Sequence, residues 1–193
     1  AFSYVAVISA CRSERQWQLA LSLLQNCPGN VVACSATIAV LEADGHWQFA
    51  LALLEKMRRR GPPPNVVTYN SVISACGKGQ QWQRAVDLLA EAQGMKLRPG
   101  TVALNAATSA CEKGRQWQHA EQLLWDGQAA GLRLDAIGFS AATSACEKGW
   151  QWSRALQMLQ EMRHRRLLEV VACNAALSAC GQCSQTPAAM TLF

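Results

Sequence analysis

Apolar and polar residues recur along this chain with the spacing of α-helices. The stretch VVTYNSVISACGKG, residues 66–79, carries an apolar stripe at i, i+3, i+4 and i+7, formed by Tyr69, Val72, Ile73 and Cys76. The stretch QWQRAVDLLAEA, residues 81–92, carries a second stripe at the same spacing, formed by Trp82, Ala85, Val86 and Leu89. A GKG break separates them, and KLRPG supplies the proline and glycine of a loop afterwards. The pattern predicts two amphipathic helices joined by a turn.

This two-helix pattern repeats along the chain. Tryptophan recurs at separations of 30, 35, 35 and 35 residues, at Trp17, Trp47, Trp82, Trp117 and Trp152. Cysteine keeps nearly the same phase, at Cys11, Cys76, Cys111, Cys146 and Cys180. The predicted repeats are 1–30, 31–65, 66–100, 101–135, 136–169 and a truncated 170–193, together one array over residues 1–193. Since one helical hairpin cannot bury both stripes alone, the sequence predicts an all-α fold, an α-solenoid superhelix of stacked helix-turn-helix repeats.

Composition adds mild limits. The formal net charge of +5 permits a polyanionic partner without requiring one. No uncharged apolar run reaches the roughly 18 residues that a membrane span needs, so no membrane partner is expected. Nine cysteines, an odd number, favour burial as small apolar side chains in a reducing compartment over a disulfide framework.

One face of each first helix remains outside the apolar stripe, and its residues also recur. Counting from the first residue of each repeat, position two is always apolar, as Phe2, Val32, Val67, Val102, Ile137 and Val171. Position five carries a small hydrogen-bonding residue in five repeats, as Ser35, Asn70, Asn105, Ser140 and Asn174. Position thirteen carries lysine in three, as Lys78, Lys113 and Lys148. Two interpretations stay open: a solvated helix face, or a stripe that holds a base flat, contacts its edge and tethers its phosphate.

A zinc deaminase was the alternative that the residue types raised. His119 and Glu121 form His-x-Glu, and Cys180 and Cys183 form Cys-x-x-Cys. That signature requires proline directly before the cysteine pair, whereas Ala179 stands there, and the repeat phase accounts for each residue. No phosphate-binding loop or nucleophile elbow is present either. We therefore expect no metal, no cofactor and no catalysis within the chain.

The 35-residue period, the third repeat VVTYNSVISACGKGQQWQRAVDLLAEAQGMKLRPG and the recurring SACEKG phrase resemble the pentatricopeptide repeat family over the whole chain. The tryptophan at the start of the second helix is similar to protist or algal members. This resemblance implies binding of single-stranded RNA, one base per repeat. Position two would sandwich neighbouring bases, and the lysines at position thirteen would meet phosphate.

The resemblance also implies which residues select each base: position five together with the last residue of the repeat. Ser35 with Asn65 implies adenine, Asn105 with Asp135 implies uracil, and Asn70 with Gly100 suggests a pyrimidine. Ser140 with Glu169 leans towards a purine, Asn174 has lost its partner to the truncation, and Val5 with Asn30 lies outside the code. The expected target is 5′-N-A-Y-U-R-Y-3′, in which only the A and the U are firm.

Two other functions remain open. The same face could hold a peptide in a protein–protein scaffold, or the chain could target a larger enzyme whose catalytic domain lies elsewhere. Uncapped ends would also admit protein partners or self-association. By resemblance, the expected location is an organelle, mitochondrion or plastid, although no targeting segment is recognised in the chain.

Overall fold

The computed structural model describes residues 2–27 and 29–183, and these form helices and connecting turns. The helices are α1 (Phe2–Ala10), α2 (Trp17–Gln25), α3 (Val31–Asp44), α4 (Trp47–Arg60), α5 (Val66–Lys78), α6 (Trp82–Gly94), α7 (Thr101–Lys113), α8 (Trp117–Ala129), α9 (Ala136–Lys148), α10 (Trp152–His164) and α11 (Val170–Gln182). The predicted all-α class is confirmed. In repeats one to five the second helix begins at the recurring tryptophan, as predicted. The second half of repeat six, with Pro187, lies outside the described residues.

Two compact units divide the chain at Ala1–Pro99 and Gly100–Phe193. In the first, α1 packs on α3 and α3 on α5, while α2 and α4 each pack on their own first helix and on the next. The second unit repeats this arrangement, with α7 on α9, α9 on α11, and α8 and α10 between them. Each unit is thus a stack of helical hairpins of the α-solenoid class.

The core of each unit comes from the predicted stripes. All four residues of the first stripe in repeat three, from Tyr69 to Cys76, have no exposed surface. The second stripe is shifted slightly from its predicted position, because Leu88 is buried whereas Val86 is only half-buried. The recurring cysteines are all buried and free, in agreement with the prediction that they fill the core.

The first helices of repeats one to five end in the same turn. The residue at position fifteen adopts a left-handed conformation, with φ between 55° and 76°, at Arg15, Gly45, Gln80, Arg115 and Trp150. The following N–H donates to the carbonyl five residues back, as in Gln81 N to Cys76 O at 2.9 Å. This is a Schellman-type ending, which satisfies carbonyls at the helix end. Trp150, exposed and out of the tryptophan register, occupies this left-handed position.

The glycine of the GKG break has a different role from the one its sequence suggested. Gly79 has φ of −77°, whereas the left-handed residue is Gln80. A Cβ at Gly79 would lie 2.1 Å from Cδ1 of Trp47 in the preceding repeat. In the second compact unit, a Cβ at Gly149 would lie 2.4 Å from Cδ1 of Trp117. These glycines make room for an indole of the neighbouring hairpin.

Candidate nucleic-acid interface

The position-two side chains form exposed aliphatic sites on the first helices. Val32 and Val67 in the first compact unit are 60% and 58% exposed. In the second unit the exposed fractions are 67%, 62% and 60%, for Val102, Ile137 and Val171. The side chain of Phe2 lies outside the described part of the structure. Recurrent exposure of branched aliphatic residues gives repeats two to six an apolar surface that a flat base could contact.

The last residue of each repeat is the N-cap of the next first helix. The Asn30 side chain accepts from the backbone N–H groups of Val32 and Ala33, at 2.9 and 3.2 Å. Asn65 and Asp135 also cap with side-chain oxygens, whereas Gly100 and Glu169 make no side-chain cap bond. Helix capping therefore determines how several of the predicted base-selecting residues are oriented.

Ser35 and Asn65, the predicted adenine pair, are connected through Thr68. The Asn65 Oδ1 accepts from the Thr68 backbone N–H at 2.9 Å and from its hydroxyl at 3.0 Å. The Thr68 Oγ1 also accepts from the Asn65 backbone N–H at 3.4 Å, which completes a capping box. Ser35 Oγ lies 2.9 Å from Thr68 Oγ1, and Ser35 is only 8% exposed.

Asn105 and Asp135, the predicted uracil pair, contact each other directly. The Asn105 Nδ2 lies 2.9 Å from both carboxylate oxygens of Asp135. Asp135 Oδ1 also accepts from the Gly138 backbone N–H at 3.1 Å, as the cap of α9. A Cβ at Gly138 would lie 2.7 Å from the Asn105 Oδ1, so this glycine leaves room for the amide. Because a carboxylate only accepts hydrogen bonds, it fixes which end of the Asn105 amide faces it.

The remaining predicted pairs are less complete. Ser140 donates to the Glu169 Oε2 at 3.2 Å. Asn174 is exposed on α11. Asn70 lies on α5, and its amide oxygen is buried with no hydrogen-bond partner among the described residues. Gly100 precedes α7 and supplies no side chain.

The predicted phosphate-contacting lysines are exposed at the ends of their helices, and two of them pair with a glutamate of the preceding repeat. Lys78 Nζ lies 3.1 Å from the Glu42 backbone oxygen and 3.4 Å from its carboxylate. Lys148 Nζ lies 2.8 Å from the Glu112 carboxylate. Lys113 is also exposed. Since an ammonium group has three donors, these ion pairs leave hydrogen-bonding capacity for a phosphate.

The residues of the rejected zinc signature have structural surroundings. Glu121 on α8 accepts from Arg154 at 3.1 Å, and Cys180 is buried in the core. No group of three or more His, Cys, Asp or Glu side chains in the described residues could hold a metal ion. Burial raises the pKa of Cys76 to about 11, and the pKa values of Cys111 and Cys146 to about 12. These three thiols are therefore protonated near neutral pH.

The basic run at residues 58–60 is partly used inside the first compact unit. Arg58 forms ion pairs with Glu55 and Glu91, and its guanidinium lies 5.7 Å from the centre of the Tyr69 ring. The Tyr69 hydroxyl donates to Glu91 at 2.8 Å. In the second unit, Arg165 makes comparable contacts with Glu161 and with the Phe139 ring. These arginines connect second helices to first helices.

No described helix has the length and apolarity of a membrane span.

A PPR repeat family model matches residues 29–78, and a PPR repeat model matches residues 2–27 and 67–97. Residues 2–27 and 29–97 belong to the pentatricopeptide repeat family. No curated protein sequence matches this pentatricopeptide repeat chain.

Solved structures share the fold. The pentatricopeptide repeat protein PPR10 in complex with an 18-nt psaJ RNA element aligns with TM-score 0.76 and 24% identity, over 93% of this chain and 27% of that one. PPR10 from maize aligns with TM-score 0.54 and 18% identity, over 99% and 32% of the two chains. The PPR domain of Arabidopsis thaliana protein-only RNase P 1, in complex with tRNA, aligns with TM-score 0.70 and 14% identity, over 80% and 82%. This pentatricopeptide repeat chain thus spans about a quarter of the PPR10–RNA structure.

Two residues of the interface were missed by the sequence interpretation. Thr68 and Gly138 both stand at position three of a repeat, and each touches the position-five side chain of the repeat before it. Their contacts join residues 33 positions apart, so only the stacking of pentatricopeptide repeats brings them together. The recurrence of small residues at position three, as in Ala33, Ala103 and Ala172, was the available signal.

Proposed function

We propose that this chain binds single-stranded RNA with sequence selectivity, one base per repeat, and that its six repeats act as one array. The pair Asn105–Asp135 carries the proposal. The two residues that the resemblance assigns to base selection contact each other, and the Asp135 carboxylate that caps α9 also orients the Asn105 amide. The base lies against the position-two side chains, and the lysines Lys78, Lys113 and Lys148 attract the phosphates. Stacking contributes about 1–3 kcal/mol per base in such binders.

The hydrogen-bonding groups of this pair match uracil. Asn105 has one amide end held by Asp135, which leaves the second Nδ2 hydrogen to donate to the O4 of the base. The Asp135 carboxylate accepts from the N3–H of uracil, directly or through water. Cytosine presents a donor and an acceptor in the reverse order along the same edge, so it fits less well. The pair therefore favours uracil over cytosine.

We assign no catalytic role to these residues, and we propose an organelle, mitochondrion or plastid, as the place of action. The second point rests on family resemblance alone. Processing, stability, translation or editing of an organellar transcript are the steps that a binding array could serve. A peptide-binding scaffold is the alternative function, and an array that binds none of the RNAs below would favour it.

The test is fluorescence anisotropy with labelled RNAs of the form N-A-Y-U-R-Y, in which only the U is replaced by C, at two salt concentrations. Asp135→Asn is the informative variant, because asparagine caps a helix as well as aspartate does. Its amide oxygen is needed for the Gly138 N–H, so its amino end faces Asn105 and turns that amide over. We expect the preference for U over C to fall about tenfold or to reverse.

Asp126→Asn is the matched control, since it removes the same charge from the exposed face of α8 in the same repeat. It should keep the wild-type preference. Both variants should show the same salt dependence, because neither changes a lysine. Equal affinity of the wild-type chain for the U and C probes would refute the proposed base selection at this repeat.

A further inference from the structure

We infer that Thr68 is a positioning residue that fixes Ser35 as a hydrogen-bond acceptor, and thereby makes the second repeat favour a purine with an amino group at C6 over one with a carbonyl oxygen there. The inference rests on the proposed function and deepens it. Thr68 belongs to repeat three, so the base choice of one repeat depends on a third residue from the next repeat.

The direction of each hydrogen bond follows from one fixed donor. The Thr68 backbone N–H can only donate, so the group 2.9 Å from it must be the Asn65 carbonyl oxygen and not the amino group. That oxygen has no proton, so the Thr68 hydroxyl, 3.0 Å away, donates its single proton to it. One lone pair of Thr68 Oγ1 accepts from the Asn65 backbone N–H. The other lone pair faces Ser35.

The Ser35 hydroxyl must therefore donate to Thr68. The two oxygens lie 2.9 Å apart, and the only proton of Thr68 is already used. Ser35 then has lone pairs, and no proton, for any other group. The Asn65 amide, whose oxygen faces inward, has its two Nδ2 hydrogens for a ligand. Together the pair presents an acceptor beside a donor.

This arrangement complements an amino group next to a ring nitrogen. Adenine offers an N6 amino donor beside the N1 acceptor, whereas guanine places a carbonyl oxygen at the equivalent carbon. A carbonyl oxygen facing Ser35 would meet lone pairs and gain no hydrogen bond. Val32 lies one turn before Ser35 on α3, and Val67 directly precedes Thr68. The side chains of Val32 and Val67 are both exposed, so a base that packs against them can bring its edge to the nearly buried Ser35.

The second compact unit has the same register with a different chemistry. Gly138, also at position three, lies against the Asn105 Oδ1, where an added Cβ would come within 2.7 Å. A hydroxyl in repeat three and a bare Cα in repeat five thus touch the position-five side chain of the preceding repeat. In repeat three the residue at position three sets the hydrogen-bonding group that Ser35 presents, and in repeat five it leaves room for the Asn105 amide.

The experiment measures Kd for three RNAs that differ only at the nucleotide facing repeat two. This nucleotide is adenosine, guanosine or purine riboside, which is adenosine without its 6-amino group. The wild-type chain should bind adenosine about threefold to tenfold more tightly than purine riboside, the range for one neutral hydrogen bond. In Thr68→Val the Ser35 hydroxyl can donate as well as accept, so it can also bond the guanine carbonyl oxygen, and the preference for adenosine over guanosine should fall. The preference over purine riboside should change little, because Ser35 can still accept from the 6-amino group.

Three further variants separate positioning from folding. Thr68→Ser keeps the hydroxyl and should retain the wild-type ratios. Thr68→Ala places at position three the residue that repeats two, four and six carry there, so it should fold, and its preference for adenosine over guanosine should be reduced as in Thr68→Val. Thr37→Val removes another buried threonine hydroxyl of the same compact unit, one that donates to the Ala33 carbonyl at 2.9 Å, and should change neither ratio.

The outcomes distinguish the two proposals. A wild-type chain that binds none of these RNAs overturns the proposed RNA binding and this inference with it. If the wild-type chain prefers adenosine to guanosine and both Thr68→Ala and Thr68→Val keep that preference, RNA binding stands and the role of Thr68 is refuted. A smaller preference over guanosine in both variants, with the wild-type preference retained in Thr68→Ser, supports that role.

Discussion

Packing between Gly79 and the Trp47 indole gives a sharp test of how neighbouring hairpins fit. In Gly79→Ala the new Cβ would stand 2.1 Å from Cδ1, 2.7 Å from Cγ and 2.8 Å from Nε1 of the ring, where ordinary contact begins at 3.4 Å. The ring must therefore withdraw by more than an ångström. Since Trp47 is the first residue of α4, its withdrawal disturbs the start of that helix. Overpacking of this kind costs about 1–3 kcal/mol.

The measurement is urea unfolding followed by far-UV circular dichroism, since a fluorescence signal would change with the altered tryptophan itself. Gly149→Ala should destabilise less than Gly79→Ala, because its Cβ would stand 2.4 Å from the Trp117 Cδ1. Gly94→Ala is the matched control: Gly94 ends α6, its Cβ would have no neighbour within 4 Å, and alanine should stabilise by up to about 1 kcal/mol.

A double-mutant cycle with Trp47→Ala isolates the contact. Without the indole, Gly79→Ala should have little effect on the free energy of unfolding, so the two substitutions should be strongly coupled. An unchanged cost of Gly79→Ala in the Trp47→Ala background would show that the glycine serves the turn and not the packing.

Two further predictions concern the turns and the buried thiols. Gln80→Gly should raise the free energy of unfolding by about 0.5–1 kcal/mol, because it relieves about 1–2 kcal/mol of left-handed strain but increases the entropy of the unfolded chain. Gly45→Ala should lower the free energy of unfolding, because alanine would be strained at this left-handed position. Equal stability of the wild-type chain and both variants in urea would contradict this. Below about pH 9 the thiols of Cys76, Cys111 and Cys146 are protonated in the folded and the unfolded chain, so they give no pH dependence of stability. Between about pH 9 and about pH 11 to 12 they ionise only in the unfolded chain. In that range the free energy of unfolding should fall by about 1.4 kcal/mol per thiol per pH unit. Urea midpoints at about pH 8 and about pH 10 check this, Cys111→Ala should make the fall shallower, and identical midpoints would refute the cause.

The sequence predicted the features that depend on local periodicity. The stripe that contains Ile73 and Cys76 is buried, and each second helix begins at its tryptophan, because helical amphipathicity depends on residues three and four apart. The uses of glycine were not predictable in the same way. Gly79 looked like a turn residue in GKG, yet the left-handed backbone falls on Gln80, and the glycine is required by an indole 32 residues earlier.

In the candidate site, too, the positions of the residues could be predicted from the sequence, whereas their contacts between repeats could not. These positions, such as Ser35 and Asn105, recur at a fixed phase and could be chosen from the sequence, with the residue at the end of each repeat added by family resemblance. The hydrogen-bond partners of these side chains could not be predicted, because they come from the next repeat, as Thr68 for Ser35, or from the end of the same repeat, as Asp135 for Asn105. A threonine at 68 and a glycine at 138 are both unremarkable small residues until stacking places them against position five.

Under the proposed function, helix capping and base selection use opposite ends of the same side chain. The oxygen of Asn65 is turned inward to accept from the first turn of α5, which leaves its amino group outward. At Asp135 both ends are oxygens, so the cap is kept while the outward atom changes from donor to acceptor. Because asparagine and aspartate cap helices about equally well, exchanging one for the other alters the groups that a base meets while the helix start is preserved. Under the proposed function, the last position of a repeat can therefore change its base preference without loss of the helix cap, and in repeat two Thr68 would set how Ser35 meets the base.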